Sequence, residues 1–221
     1  MSNTSRRDAV RKITAGAMAA VLPSGASGKA APPKIKIGQI GVGHGHATKL
    51  EVYRASLDYE VVGIVEPNEA LRKRVENHPA YRGLSWLSRE QLLNIPGLQA
   101  VLVETRVEDL LDNADACVAA GMHVHVDKPA GDSLARLEKL LQDANRKKLL
   151  VQMGYMYRYN PGVLLLREFL RKGWLGDIFE IHAVMSKVVA PAERKALARF
   201  PGGIFFELGC HLIDLVVGLA G

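Results

Sequence analysis

Residue types able to move protons gather in two short stretches of this chain. The first is Asp127-Lys128-Pro129, which closes the run "MHVHVDKP". If that run is a strand of an open parallel sheet, its carboxyl end lies where such sheets bind ligands. A lysine withdrawn from water there has a lowered pKa and can pass protons. Taken alone, the triplet favours a solvated surface lysine, with Pro129 ending the strand. The second stretch is "GGIFFELGCHLIDLVVGLAG", residues 202–221, which carries Glu207, His211 and Asp214. On a helix these three side chains point within an arc of roughly 60°. The rest of the helix is apolar on nearly every side, as a buried helix is, and buried charges cost several kcal/mol unless paired. Two readings stay open. In one, Glu207 near the helix start pairs with His211 as a structural cluster. In the other, the three line a polar cleft. His211 is then the general base for a substrate hydroxyl, Lys128 stabilises the charge that develops on it, and Glu207 orients His211 or binds a neighbouring hydroxyl. Asp214 supports them, and Tyr157 and Arg158 of "GYMYRYNP" face the same cleft.

A third stretch points to a nucleotide. "IGQIGVGHGHATKL" sets Gly41, Gly43 and Gly45 between a strand-like and a helix-like run. In the dinucleotide fingerprint the first glycine makes the tight turn and the second lets backbone approach a pyrophosphate at the helix N-terminus. His46 stands at the third fingerprint position. Glu66 closes the next strand, 25 residues after Gly41 and near the roughly 20 expected for an acid that accepts ribose hydroxyls. A carboxylate there repels a 2′-phosphate, so NAD is favoured over NADP. The cofactor contacts expected of this loop are Gly41, Val42, Gly43, His44, Gly45, His46 and Glu66. The bland alternative is an ordinary glycine-rich turn with an exposed Glu66 before Pro67. His44 and His46 read as loop histidines bonded to phosphate or backbone rather than as metal ligands, because no third ligand is evident nearby.

These groups need a scaffold. From Lys34 the sequence alternates strand-like runs ("IKIGQIGV", "YEVVGIVE", "LQAVLVET", "MHVHVDKP", "LLVQMGYM") with helix-like runs of about 10–15 residues. That rhythm predicts an α/β fold, a doubly wound parallel sheet covered on both faces. Asn68 and Asp132 stand at expected helix N-caps and Gly121 at an expected C-cap. Past residue 152 the rhythm changes. Pro161 and Gly173 bracket a helix, "DIFEIHAVMSKVV" reads as a strand, and the greasy helix follows. This reads as the opening of a second, α+β domain whose sheet is incomplete. The expected organisation is residues 1–33, 34–152 and 153–221.

Of the formal charge of +6, the first 31 residues hold +4, five basic residues against Asp8, which leaves +2 for the body. No basic stripe remains for nucleic acid. Cys117 and Cys210 make no disulfide framework, and Cys117 reads as a small apolar residue in a helix. "SRRDAVRK", the apolar "ITAGAMAAVL" and "PSGASGKAAPP" have the layout of a cleavable leader. Ser5-Arg6-Arg7 resembles a twin-arginine signal and implies export to the periplasm; a disordered basic tail is the alternative. No run is long enough for a membrane span.

In their order, Gly41-Val42-Gly43, Glu66, "AGMHVHVDKP", "GYMYRYNP" and "GGIFFELGCHLID" resemble the glucose-fructose oxidoreductase, inositol dehydrogenase and rhizopine-catabolism family over about residues 34–221. The resemblance implies an N-terminal Rossmann domain, a C-terminal α/β substrate domain and hydride transfer between NAD(P) and a sugar, polyol or related hydroxyl compound. It aligns Asp127-Lys128-Pro129 with the family's Glu-Lys-Pro, so Asp127 and Lys128 border the cofactor and Lys128 takes the catalytic role. It aligns Glu207 and His211 with the family's paired Asp and His. The family's "TP…H" loop beside the nicotinamide corresponds to "ETRVEDL", which keeps Thr105 but has no proline or histidine. The resemblance further implies a homo-oligomer for the full-length form and a second sheet completed beyond residue 221. A non-catalytic NAD-binding sensor and an NAD-dependent glycosidase are the competing functions.

Overall fold

Ile35–Ile40 (β1), Tyr59–Val65 (β2), Trp86–Leu87 (β3), Leu98–Val103 (β4), His123–Val126 (β5) and Val151–Met153 (β6) form one sheet. Its order is β3-β2-β1-β4-β5-β6, with every neighbouring pair parallel. The structure is a computed structural model that describes residues 32–200 and 202–221; the leader expected from Ser5-Arg6-Arg7 lies outside them. Among the described residues no helix is long and apolar enough to cross a membrane.

The period-two pattern of β4 shows why the sheet is covered on both sides. Val101 and Val103 point into one core with Val124 and Val126 of β5, whereas Leu102 points into another with Ile37 and Ile64. The first core is closed by Val107–Ala119 (α4) and Leu134–Arg146 (α5). Leu110, Ala114 and Cys117 of α4 meet Leu140 and Ala144 of α5 there, at the three- and four-residue spacing of one helix face. Burial pushes the Cys117 thiol up to about 12, in keeping with apolar packing. The second core takes Leu50 from Leu50–Ala55 (α1), reached through a 3₁₀ turn at Ala47–Lys49, and Leu71 from Glu69–Val75 (α2).

The chain runs outward from β1 to β3, crosses through Arg89–Leu93 (α3), and returns beside β1 as β4. The strand order therefore reverses between β1 and β4, and a crevice opens at their carboxyl ends. Short β3 and α3 escape a reading based on long periodic runs. A local signal did exist: Ser88 and Gln91 form a reciprocal capping box at the start of α3.

Two caps behave as expected and one does not. Asn68 accepts from Leu71 N–H, and Gly121 follows α4 with φ +83°. At α5 the cap is Ser133, not Asp132: Ser133 has the extended backbone and its Oγ accepts from Arg136 N–H.

After β6 come a 3₁₀ turn at Met156–Tyr159, Pro161–Arg171 (α6), Pro191–Leu197 (α7), a π turn at Phe205–Gly209 and Cys210–Ala220 (α8). The strand expected at 177–189 is absent: the segment pairs with no neighbour in the sheet. Phe179 and Val188 stay in water, 96% and 97% exposed, while Ile181, Met185 and Val189 are half-buried. A strand needs a ladder partner for its N–H and C=O groups, and without one alternation does not make a sheet. Helix α8 also departs from the expectation of an all-round buried helix. Its polar His211 is the buried residue, while Ile213 and Val217 are exposed.

Candidate functional site

Three strand ends supply the site. After β1 the chain turns at Gly41 with φ +90°. A Cβ there would lie 2.7 Å from Thr105 N and 2.8 Å from the Glu104 carbonyl carbon, so only glycine fits. At Gly43 an added Cβ would make ordinary contacts and at Gly45 none. The space above these two is open to a ligand's approach. Glu66, one residue past β2, accepts from Val42 N–H at 3.0 Å and from Asn68 N–H at 2.9 Å. Its carboxylate thus faces the glycine loop across a crevice of about 950 Å³ that Thr105 and Arg106 close on the other side. The carbonyl of Arg106 accepts from Thr105 Oγ1–H. Arg106 and Arg72 line this crevice and were not singled out from the sequence.

Past β5, Lys128 is 3% exposed. Its Nζ donates to Glu207 Oε1 at 2.5 Å and to the Glu207 carbonyl at 3.1 Å. The surface-lysine alternative is therefore overturned. His211, one turn on, is 4% exposed and lies edge-on to Tyr157 and Tyr155, with ring centroids 5.6 and 6.3 Å away. Burial, helped by the charges of Lys128 and His46, pushes the His211 pKa down, which keeps the ring neutral and able to accept a proton at neutral pH. Its Nδ1 is buried with no protein partner among the described residues. Asp214 and Arg158 are brought together as partners: Arg158 Nε donates to both carboxylate oxygens at 3.0 and 2.9 Å. That pair braces α8 against the turn at Met156–Tyr159.

Below Lys128 lies a buried ion cluster that sequence reasoning missed. Lys49 Nζ sits 2.6 Å from Asp127 Oδ2, 2.8 Å from Glu104 Oε1 and 2.8 Å from His125 Nε2. Burial works against the Asp127 charge, but hydrogen bonds from His44 and His46 and the Lys49 charge hold this carboxylate far below its usual range. Burial first, then the Asp127 charge, pushes Glu104 up to about 8 against the opposing pull of Lys49. Asp127 takes the negative charge and Glu104 keeps its proton. Burial and then the Lys49 charge push His125 down to about 4. The one sequence signal was an acid, Glu104, closing the otherwise apolar run of β4.

The same cluster revises the reading of His44 and His46. A third donor does lie beside them: Asp127, 3.2 Å from His44 Nδ1 and 3.4 Å from His46 Nδ1. The carboxylate already has a cation in Lys49, however, and His44 Nε2–H donates to the Lys128 carbonyl at 3.0 Å. These histidines bond to backbone and carboxylate in the structure.

Glu104 carries a pH dependence. Its folded pKa of about 8 exceeds the ordinary 4.5. Folded protein therefore retains a proton that the unfolded chain releases, and this contribution to stability falls as pH rises from about 4.5 to 8. Glu104→Gln cannot ionise. It is expected to melt roughly 5 °C higher than the parent at pH 9, about 2 kcal/mol, with the gain gone by pH 6. Parallel melting curves across that range would contradict the assignment.

Comparison with known proteins now bears on the site. Residues 35–155 match a family model described as the oxidoreductase family, NAD-binding Rossmann fold, and residues 163–221 match the GFO/IDH/MocA C-terminal domain. The chain belongs to the GFO/IDH/MocA family. Among GFO/IDH/MocA relatives, the rhizopine catabolism protein MocA of Rhizobium meliloti is 23% identical over 85% of this chain and 58% of its own length. Myo-inositol 2-dehydrogenase of Thermotoga maritima is 23% identical over 85% of this chain and 55% of its own. Apo scyllo-inositol dehydrogenase from Lactobacillus casei superposes with a TM-score of 0.68 at 19% identity, covering 85% of this chain and 56% of that one; this likeness concerns the fold. The chain thus spans about half the length of the curated GFO/IDH/MocA relatives it matches.

Proposed function

We propose that this chain forms the cofactor site and one wall of the substrate site of an NAD(P)-dependent oxidoreductase acting on a CH–OH group of a polyol or sugar. The observation that carries the reading is the buried convergence of Lys128 and His211 beside a glycine loop that family membership assigns to a dinucleotide. The residues present fit that cofactor. Gly41 makes the tight turn and Gly43 leaves backbone open to its pyrophosphate, and Glu66 stands where ribose hydroxyls are accepted, which favours NAD over NADP. Thr105 lines the crevice, whereas Asp127, expected there as well, is fully buried beneath it on Lys49 and the Lys128 N–H. The nicotinamide, when bound, accepts or donates the hydride.

The protein's own groups handle the proton. His211 Nδ1, buried and unpartnered among the described residues, takes the proton of the substrate hydroxyl, and the Lys128 ammonium holds the oxygen as negative charge grows on it. Glu207 holds Lys128 in place through its carboxylate and carbonyl. Tyr155 and Tyr157 pack against the His211 ring and fix its plane. Arg158 and Asp214 support the wall from behind. Relatives named for inositols suggest a cyclic polyol as the first substrate to try. The substrate domain is read as beginning after residue 152, and Ser5-Arg6-Arg7 supports export by a twin-arginine route.

The test is a titration of NADH fluorescence, followed by NAD reduction with a panel of inositols and aldoses. Saturable binding with turnover of at least one polyol is expected. Binding without turnover favours the sensor reading, and no binding overturns the proposal.

A further inference from the structure

The reaction as read above makes no use of Lys49 or Glu104, yet the two are joined at the most crowded charge site of the fold. Lys49 follows the glycine loop of β1. Glu104 stands one residue past β4 and Asp127 one residue past β5. Both carboxylate side chains are fully buried, and the ammonium touches both, at 2.8 and 2.6 Å. One cation therefore ties together the ends of three adjacent strands, the three that frame the crevice.

From this knot to Lys128 is a single step on each side. Asp127 Oδ1 accepts the Lys128 N–H at 2.7 Å. His44, whose Nδ1 faces Asp127 Oδ2 at 3.2 Å, donates through Nε2 to the Lys128 carbonyl at 3.0 Å. Backbone on both sides of the Lys128 Cα is thus gripped by side chains that converge on the Asp127 carboxylate. That carboxylate cannot retreat: a Cβ added at Gly154 would lie 2.6 Å from Oδ1 and 3.0 Å from the Asp127 Cα, so β6 packs directly against it. A lysine ammonium hangs at the end of a long arm. A small tilt of its backbone moves the charge by about 1 Å, a displacement that can cost roughly 10²-fold in rate.

We infer that Lys49 and Glu104 are positioning residues for Lys128: the Lys49 ammonium, paired with Asp127 and in contact with Glu104, locks the ends of β1, β4 and β5 so that the Lys128 ammonium meets Glu207 and the substrate oxygen. This rests on the oxidoreductase reading above. An apolar replacement at 49 would leave the buried Asp127 carboxylate without its cation and remove the ammonium that bridges Asp127 and Glu104, so the strand ends would lose their common tie.

The test uses Lys49→Met, Lys49→Arg and the double variant Lys49→Met/Glu104→Gln, which removes the cation and one acid together and keeps the question open should the single variant not fold. In Lys49→Met and the double variant, turnover is expected to fall about 10- to 100-fold while KM and NADH affinity change less than about threefold. Lys49→Arg should recover most of the rate. A folded double variant with parental turnover overturns the inference. So does an equal loss of NADH affinity, which would make the pair part of the cofactor site, and so does an Arg variant no better than Met. Should the parent protein transfer no hydride, the oxidoreductase reading fails separately, and Lys128 is followed instead by amine acylation mapped by mass spectrometry. In the parent, Lys128 is shielded by Glu207. In the double variant it should label about five times faster, as a loosened segment does, and unchanged labelling overturns the inference.

Discussion

Replacing Lys128 by Met should lower hydride transfer by about three orders of magnitude and leave NADH binding within a few-fold. A positioned proton-transfer or charge-stabilising group contributes about 10²–10⁴ in rate, and Lys128 is the cation that the fold presents to the wall carrying His211. The substitution keeps the length of the buried side chain, so packing around it is retained. The cost to the fold falls on the partner. Glu207 Oε1 loses its 2.5 Å donor, and Glu207 Oε2 is already buried without a partner among the described residues. Breaking a fully buried pair costs about 3–5 kcal/mol. The Glu207 side chain retains 23% of its exposure, so water recovers part of this. A double variant, Lys128→Met with Glu207→Gln, should regain stability without regaining rate. Single-turnover measurements together with melting temperatures separate the two effects. Turnover of the single variant within threefold of the parent would remove Lys128 from the chemistry.

Gly41→Ala should be the most damaging single-methyl change in the nucleotide loop. It meets two penalties together: φ of +90°, which L side chains rarely adopt, and backbone atoms at 2.7 and 2.8 Å that cannot swing away. A misplaced backbone of this kind costs about 1–3 kcal/mol, and the clash adds to it. The expected loss is roughly 10 °C in melting temperature, with dinucleotide affinity down at least about 100-fold. Gly45→Ala is the internal control. Its φ is not positive and an added Cβ has no neighbour within 4 Å, so the folded protein should melt within about 2 °C of the parent. Equal effects at the two positions would show that the turn does not depend on Gly41. Affinity by fluorescence titration and stability by thermal melting check both.

Long-period features were legible in the sequence. Continuous apolar runs such as "LQAVLV" announced strands buried on both faces, as backbone geometry that repeats every two residues requires. The spacing of Glu207, His211 and Asp214 predicts one face of a single helix, whereas Glu207 stands in the π turn ahead of α8. What stayed hidden depends on tertiary contact. Whether Glu104 ends its strand inside or outside the fold is decided by Lys49, which arrives from the first helical turn of a different unit. Likewise Arg158 and Asp214 could be guessed as cleft residues, but only the fold spends them on each other. The strand expected at 177–189 failed for a complementary reason: alternation states a preference for a sheet, and among the described residues no strand pairs with it. Ser133 displaced Asp132 as the α5 cap because capping depends on which residue has the extended backbone, a choice one residue wide.

Helix α8 is built inside out, with His211 buried and Ile213 and Val217 in water. Among the described residues it is held by Asp214 bonded to Arg158, by the His211 ring against Tyr155 and Tyr157, and by Glu207 of the preceding π turn bonded to Lys128. Segments held this way tend to open ahead of global unfolding. For α8, such an opening would also be electrical. Each excursion would strip Lys128 of its carboxylate and hand the ammonium to solvent. Amide exchange along α8 and the accessibility of the Lys128 amine to an acylating reagent should then rise and fall together, one local equilibrium seen from two sides.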